Sequence, residues 1–289
     1  MRKISRRKIL VYGGALLLLV WTLAPIYWMI NMSLSTTVAI GEGRLFPSDP
    51  TLCNYVRIFS DTFSCHTADG ASAPVVGQAA AIRQGLVNSL IISVVVTLVT
   101  MIVSIPAAYA IGRLVFKHKV KILTTIVLSR SLPPVAVLIP FSSMYTTMHL
   151  QGTILGLIII YLTLTVPLVV WILSGFFASL PPNIEKLART DGCTRFQALY
   201  RVLLGAAMPG VSAVAAIAFL TSWNEFTFAL ILTPATDAQP FPPTLAALFS
   251  HVSYPNTNAA AALLAMIPVM IMAYVFQRRI RSLNLVGPI

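Results

Sequence analysis

The sequence predicts an all-α integral membrane protein: six transmembrane helices and one two-helix loop on the cytoplasmic side. Three observations lead there. The 289 residues are 57% hydrophobic and only 10% charged, where a soluble domain carries roughly 25% charged residues. The apolar runs are continuous and lack period-two alternation, which favours helices over a barrel. A charged island, "LPPNIEKLARTDGCTRFQALYRVLLGAAMPG" (Leu180–Gly210), interrupts the apolar pattern.

The predicted spans are Ile9–Ile30, Gly85–Leu114, Val120–Met148, Thr153–Phe177, Pro209–Leu232 and Ala259–Gln277. Each is long enough to cross about 30 Å of hydrocarbon. Between them lie residues 31–84, 115–119, 149–152, 178–208 and 233–258, with short ends at 1–8 and 278–289. The basic start "MRKISRRK" resembles the n-region of a signal peptide. The apolar run after it exceeds twenty residues and ends in bulky "APIYWMINMS", so it reads as a retained helix.

Basic residues orient the spans. Sixteen of the twenty fall in one set of loops: the N-terminus, Arg113 to Lys121, the island, and Arg278, Arg279 and Arg281. The opposite set holds Arg44, Arg57 and Arg83 beside five acids, among them Asp49 and Asp237. This asymmetry places both termini and the island in the cytoplasm. The net charge of +12 is accounted for by topology, and no nucleic-acid partner is expected.

The long outer region, 31–84, holds Cys53 and Cys65, while Cys193 lies in the island. Two cysteines on an oxidising face, with eleven residues between them, can close a disulfide; a pair of free thiols is the alternative. The second outer region, 233–258, is rich in proline and polar residues and reads as a fixed, irregular loop that contacts a partner outside.

No G-x-x-x-x-G-K-[ST], H-E-x-x-H, C-x-x-C or G-x-S-x-G occurs. The four histidines are scattered, so no metal site, bound cofactor or catalytic residue is expected in this chain. Two ionisable residues lie within spans, Arg130 and Glu225, and each should face protein or a wet cavity. Glu225 follows Trp223 and Asn224, an aromatic ring and an amide that suit sugar hydroxyls and apolar sugar faces. These four residues are the candidate substrate pathway. Interhelical hydrogen bonding is the structural alternative, with Arg130 as counter-ion to Glu225. A carboxylate at this depth also fits an ion-gradient-driven carrier.

In the island, Pro181 and Pro182 stop the preceding helix, Asn183 is a plausible N-cap and Glu185 sits in the first turn. Ile184, Leu187, Ala188 and Asp191 share one face, and Gly192 permits a turn. Phe196, Leu199, Tyr200 and Leu203 then share the face of a second helix. Such a knob suits a groove on another protein or the lipid headgroups.

Glu185-Lys186-Leu187-Ala188, Asp191-Gly192 and Pro209-Gly210 together resemble the "EAA" coupling loop of permease subunits in ABC importers. The wider pattern resembles the carbohydrate branch, of the maltose-permease kind, specifically its shorter six-span partner. It extends through "PTLCNYVRIF", "NSL", "AAYAIGRLVF", "LPPVAVLIPF", "LQGTILGLIII", "SGFFASLPPNIEKLARTDG" and "SWNEFTFALIL". The resemblance implies a sugar pathway formed with a second permease subunit. It also implies two cytoplasmic ATPase subunits, which hold ATP and Mg, and an external solute-binding protein. Glu185, Leu187, Ala188, Asp191, Gly192, Phe196 and Leu199 would form the joint with the ATPases. Three features depart from the family pattern: Leu187 in place of Ala, Leu204-Gly205 in place of Leu-Pro, and the tail "LNLVGPI". The second coupling helix is accordingly expected to end more flexibly, and the tail's contact with the ATPases is open.

Overall fold

The structure is a computed structural model that describes residues 6–36, 45–47, 49–60, 78–251 and 255–281. Cys65, about half of the long outer region and the whole tail "LNLVGPI" lie outside the described residues. Among the described residues every regular element is helical. Five helices are long and apolar enough to cross a membrane, or six if one bent pair counts as a span.

The helices are α1 (Arg6–Leu34), α2 (Cys53–Phe59), α3 (Gln78–Arg113), α4 (Lys119–Ser129), α5 (Pro134–Thr147), α6 (Ile154–Ser179) and α7 (Asn183–Thr190). After these come α8 (Arg195–Ala198), a π-helical turn over Leu199–Leu203, α9 (Leu204–Trp223), α10 (Thr227–Leu232), α11 (Phe241–His251) and α12 (Pro255–Arg281). The chain divides into two compact units, Met1–Arg83 with Thr244–Ile267, and Gln84–Pro243 with Pro268–Ile289.

In the first unit, the last turns of α1 carry the buried polar residues Asn31 and Ser33. Asn54 on α2 donates to the carbonyls of Ser33 (2.8 Å) and Ser35 (3.2 Å). The Tyr55 hydroxyl donates to Ser33 Oγ at 2.8 Å. The two Asn54 bonds supply partners for carbonyls that the end of α1 leaves without intrahelical donors. Arg83 likewise donates to the Ile58 carbonyl at the end of α2, at 3.1 Å.

In the second unit, α3, α6 and α9 form the core. Small polar residues line the buried side of α3: Ser89, Ser93, Thr100 and Ser104. Thr100 and Thr165 share a hydrogen bond of 2.7 Å across α3 and α6, the kind of contact that holds helices together where lipid gives no hydrophobic drive. Gly112 brings the end of α3 closest: a Cβ there would lie 2.7 Å from the Ser174 carbonyl and 2.8 Å from Phe177 Cβ.

Three sequence expectations change. The third span is not one straight helix; α4 and α5 meet at 88°. Pro133 and Pro134 cannot donate to a continuing ladder, and Pro134 starts α5 instead. The fifth span begins earlier, at Leu204, and breaks after Trp223. Leu204-Gly205 therefore lies inside a continuous helix rather than at a loosened end. The outer region 233–258 is only partly irregular, since Phe241–His251 is helical. Its irregular start is pinned to α3: Asn88 donates to the carbonyls of Asp237 (2.7 Å) and Gln239 (3.0 Å), and Ser89 Oγ accepts from Phe241 N at 2.9 Å.

Candidate functional site

The island folds as two helices around a sharp turn. Its first helix, α7, starts after Pro181-Pro182. Asn183 is the first helical residue rather than the cap, which falls on Pro182 without a side-chain bond. At the other end, Gly192 N donates to the Arg189 carbonyl and Cys193 N to the Ala188 carbonyl, both at 3.1 Å. That pair of bonds is a Schellman closure, and Gly192 takes the left-handed position it requires, with φ +87°. Nothing lies within 4 Å of where a Gly192 Cβ would be, so the constraint is backbone conformation and not space.

Thr194 then opens α8 with a full capping box. Its Oγ1 accepts from Gln197 N at 3.3 Å, and Gln197 Oε1 accepts from Thr194 N at 2.9 Å. This T-x-x-Q signature is legible in the sequence and was missed there. From α8 the backbone runs through the π turn directly into α9, so the second knob helix is the first part of the fifth span.

The knob's faces differ from the sequence expectation. Ala188, Ala198, Leu199 and Leu203 are buried in one cluster with Ala108, Tyr109, Val169, Leu173 and Phe177 of the spans. Leu199 is 1% exposed and cannot meet a partner. Leu187 and Phe196 are 65% and 66% exposed, and Tyr200 is 41% exposed. The Phe196 and Tyr200 rings lie 4.6 Å apart. Asp191 is exposed at the end of α7.

Glu185 also turns inward. It accepts a hydrogen bond from the Tyr109 hydroxyl (2.8 Å) and pairs with Arg113 (3.5 Å). The sequence reading took Arg113 only as a basic flank.

The four pathway candidates are not brought together. Trp223 is buried and stacked on Phe219, with centroids 5.7 Å apart. Asn224, exposed at the end of α9, donates to the Leu220 carbonyl at 3.0 Å. Glu225 fills the break between α9 and α10 and accepts backbone N–H groups from Phe228 (2.9 Å) and Ala229 (3.2 Å). The Tyr161 hydroxyl is buried near this carboxylate but outside hydrogen-bonding geometry.

Arg130 is therefore no counter-ion to Glu225: it sits at the α4–α5 bend and donates to the Leu164 carbonyl. It lines a cavity of about 260 Å³ with Ser129, Thr163, Phe141 and Phe228 among others, and neither Trp223, Asn224 nor Glu225 reaches it.

Cys53 opens α2 and is disulfide-bonded, whereas Cys193 is a free thiol. Among the described residues no three His, Cys, Asp or Glu side chains cluster as metal ligands would.

The described residues form an all-helical membrane protein with a capped two-helix knob fused to the core of its spans. Residues 101–282 match the family described as binding-protein-dependent transport system inner membrane component. The chain belongs to that family.

Among its relatives is the trehalose/maltose transport system permease protein MalG of Thermococcus litoralis, 32% identical over 286 residues, covering 98% of this chain and 96% of that one. The trehalose transport system permease protein SugB of Mycobacterium tuberculosis is 32% identical over 265 residues, covering 90% and 89%. The sulfoquinovosyl glycerol transport system permease protein SmoH of Agrobacterium fabrum is 31% identical over 278 residues, covering 95% and 91%. In fold, the chain is similar to one chain of a bacterial ABC transporter that imports the acidic polysaccharide alginate. That match has a TM-score of 0.75 at 22% identity and covers 96% of this chain and 99% of that chain.

Proposed function

We propose that this chain is the transmembrane permease subunit of an ATP-driven, binding-protein-dependent sugar importer. It forms the pathway with a second, related permease, and a solute-binding protein delivers sugar from outside. Two ATPase subunits on the cytoplasmic side hold ATP and Mg, so this chain itself performs no hydrolysis. Both of its termini face the cytoplasm.

The observation that carries this reading is the knob. Leu187, Phe196 and Tyr200 expose large apolar surfaces on helices whose opposite sides are buried in the core of the spans. An exposed apolar patch joined rigidly to a core suits a partner's groove. Motion of that partner on ATP binding is then passed to α6 and α9, which alternates access. Leu199 and Ala188 anchor the knob, and Glu185 faces inward, so the partner's contact falls to Leu187, Phe196 and Tyr200.

Arg130, beside a largely apolar cavity, and the exposed Asn224 are the pathway candidates left to meet sugar. A self-sufficient carrier would need Glu225 to bind and release its coupling ion, yet both carboxylate oxygens hold backbone N–H groups.

Purification in mild detergent tests the proposal. A second permease and an ATPase are expected to copurify, and added binding protein with its sugar should stimulate hydrolysis. Transport by this chain alone, driven by a pH or sodium gradient without nucleotide, overturns it.

A further inference from the structure

One cation at the end of α3 touches three elements. Arg113 Nη1 donates to the Leu180 carbonyl at 2.8 Å, and Nη2 donates to the Pro181 carbonyl at 3.0 Å. Its Nε lies 3.5 Å from Glu185 Oε2. The other oxygen of Glu185 accepts from the Tyr109 hydroxyl, one helical turn before Arg113, at 2.8 Å. The Arg113 and Glu185 side chains are 8% and 15% exposed, so the contact is sheltered from water. Tyr109 is itself fixed, buried and edge-on to Phe177 of α6.

The link between α6 and α7 explains why such a group is needed. Pro181 and Pro182 have no N–H, so Leu180–Pro182 makes few backbone bonds of its own and would act as a hinge. A guanidinium carries five donors in a planar fork, which a lysine ammonium does not. Arg113 uses that fork to hold both carbonyls of the link and the first turn of α7 at once.

We infer that Arg113, braced by Tyr109 and Glu185, is a strut that carries the push on α7 into α3 and α6. This inference rests on the reading of the knob as the ATPase joint. Glu185 then works inside this chain, and Arg113 is a positioning residue that never touches sugar or nucleotide. Without the strut, α7 still meets the ATPase through Leu187, but its displacement is absorbed at Pro181–Pro182.

The test compares Arg113→Lys, Tyr109→Phe and Glu185→Ala with the parent in the reconstituted full complex. Three quantities are read: ATPase copurified per permease, hydrolysis stimulated by the binding protein, and sugar transported per ATP. Arg113→Lys should keep its ATPase subunits while sugar per ATP falls about tenfold, the size expected for losing a charge-assisted hydrogen bond. Tyr109→Phe should fall less. The double variant of Arg113→Lys and Glu185→Ala should fall no further than the worse single one, since both remove the same strut.

A parent-like ratio of sugar to ATP in Arg113→Lys overturns the strut. So does a loss of ATPase subunits that matches the loss of transport, because the residues would then act at the docking surface. If Arg113→Lys does not accumulate, Tyr109→Phe decides: a parent-like ratio there also overturns it. A parent complex that holds no ATPase would instead refute the proposed function.

Discussion

Glu225 Oε1 lies 2.9 Å from the backbone nitrogen of Phe228, and Oε2 lies 3.2 Å from that of Ala229. The carboxylate caps α10 from one residue before its N-cap, replacing bonds the broken fifth span cannot make for itself. Glu225→Ala should destabilise the purified complex by about 1 kcal/mol, within the range for a lost N-terminal cap. Glu225→Gln keeps one acceptor oxygen and should lose less. Thermal unfolding of both variants checks the order, and transport checks the role. Transport that depends on a pH gradient, and loses that dependence in Glu225→Gln, would return the carrier reading.

Phe196 and Leu199 are three residues apart yet have opposite fates. Phe196 is exposed and Leu199 is buried, so truncating each should fail differently. Leu199→Ala opens a cavity in the core cluster and should cost about 2–5 kcal/mol of stability. Phe196→Ala should leave stability nearly unchanged and reduce copurified ATPase. The same separation is expected for Leu187→Asp. If Phe196→Ala and Leu187→Asp both retain full ATPase, the exposed patch is not the joint.

Gly192 stands at φ +87° in the turn between α7 and α8. A side chain there meets no neighbour, so the expected cost is conformational, roughly 1–2 kcal/mol for forcing an L-residue left-handed. Gly192→Ala and Gly192→Val should therefore both lower binding-protein-stimulated hydrolysis, with Val worse because β-branching narrows its backbone choices. Gly192→Asn should be milder, since Asn tolerates this region. A Val variant with unaltered coupling would show that the turn's shape does not matter to the joint.

The spans were legible because they are a matter of composition: long apolar runs survive any error of a few residues at their ends. The breaks inside them were less so. "LPP" at 132–134 carries a clear stop signal, but the apolar runs on its two sides together have the length of one span, so the bend at Arg130 is not visible in span length alone. The inward turn of Glu185 had no local signal at all, since Tyr109 lies 76 residues away. On the second knob helix, Phe196, Leu199, Tyr200 and Leu203 read as one apolar face, and the structure divides them. Periodicity cannot say where the rim of the core falls across such a stripe. Here Leu199 and Leu203 fall inside it, while Phe196 and Tyr200 remain outside.

Cys53 is expected to bridge to Cys65, because the sequence places both in one loop on the oxidising face. Closing so short a loop stabilises by on the order of 3 kcal/mol in the chain-entropy treatment. Peptide mass analysis without reductant should recover the linked pair. Two alkylatable thiols in freshly isolated protein, besides Cys193, rule the bridge out.

Membrane orientation rests on the uneven distribution of basic residues and is directly measurable. Lys119 opens α4 and Arg195 opens α8; both belong to the basic set, and single cysteines placed there should be labelled only from the cytoplasmic side. Gln151 and Asp237 lie in turns between helices: Gln151 just before α6, and Asp237 in the segment held by Asn88. Cysteines at these two positions should react with an impermeant maleimide added outside intact cells. Gly152 N donates to the Leu232 carbonyl at 2.7 Å, which ties the turn before α6 to the end of α10. Position 151 and the segment following Leu232 must therefore share a side whatever the sign of the charge rule. Labelling of Gln151 and Asp237 from opposite sides would contradict the helix connections themselves, whereas labelling of Lys119 from outside would overturn only the orientation.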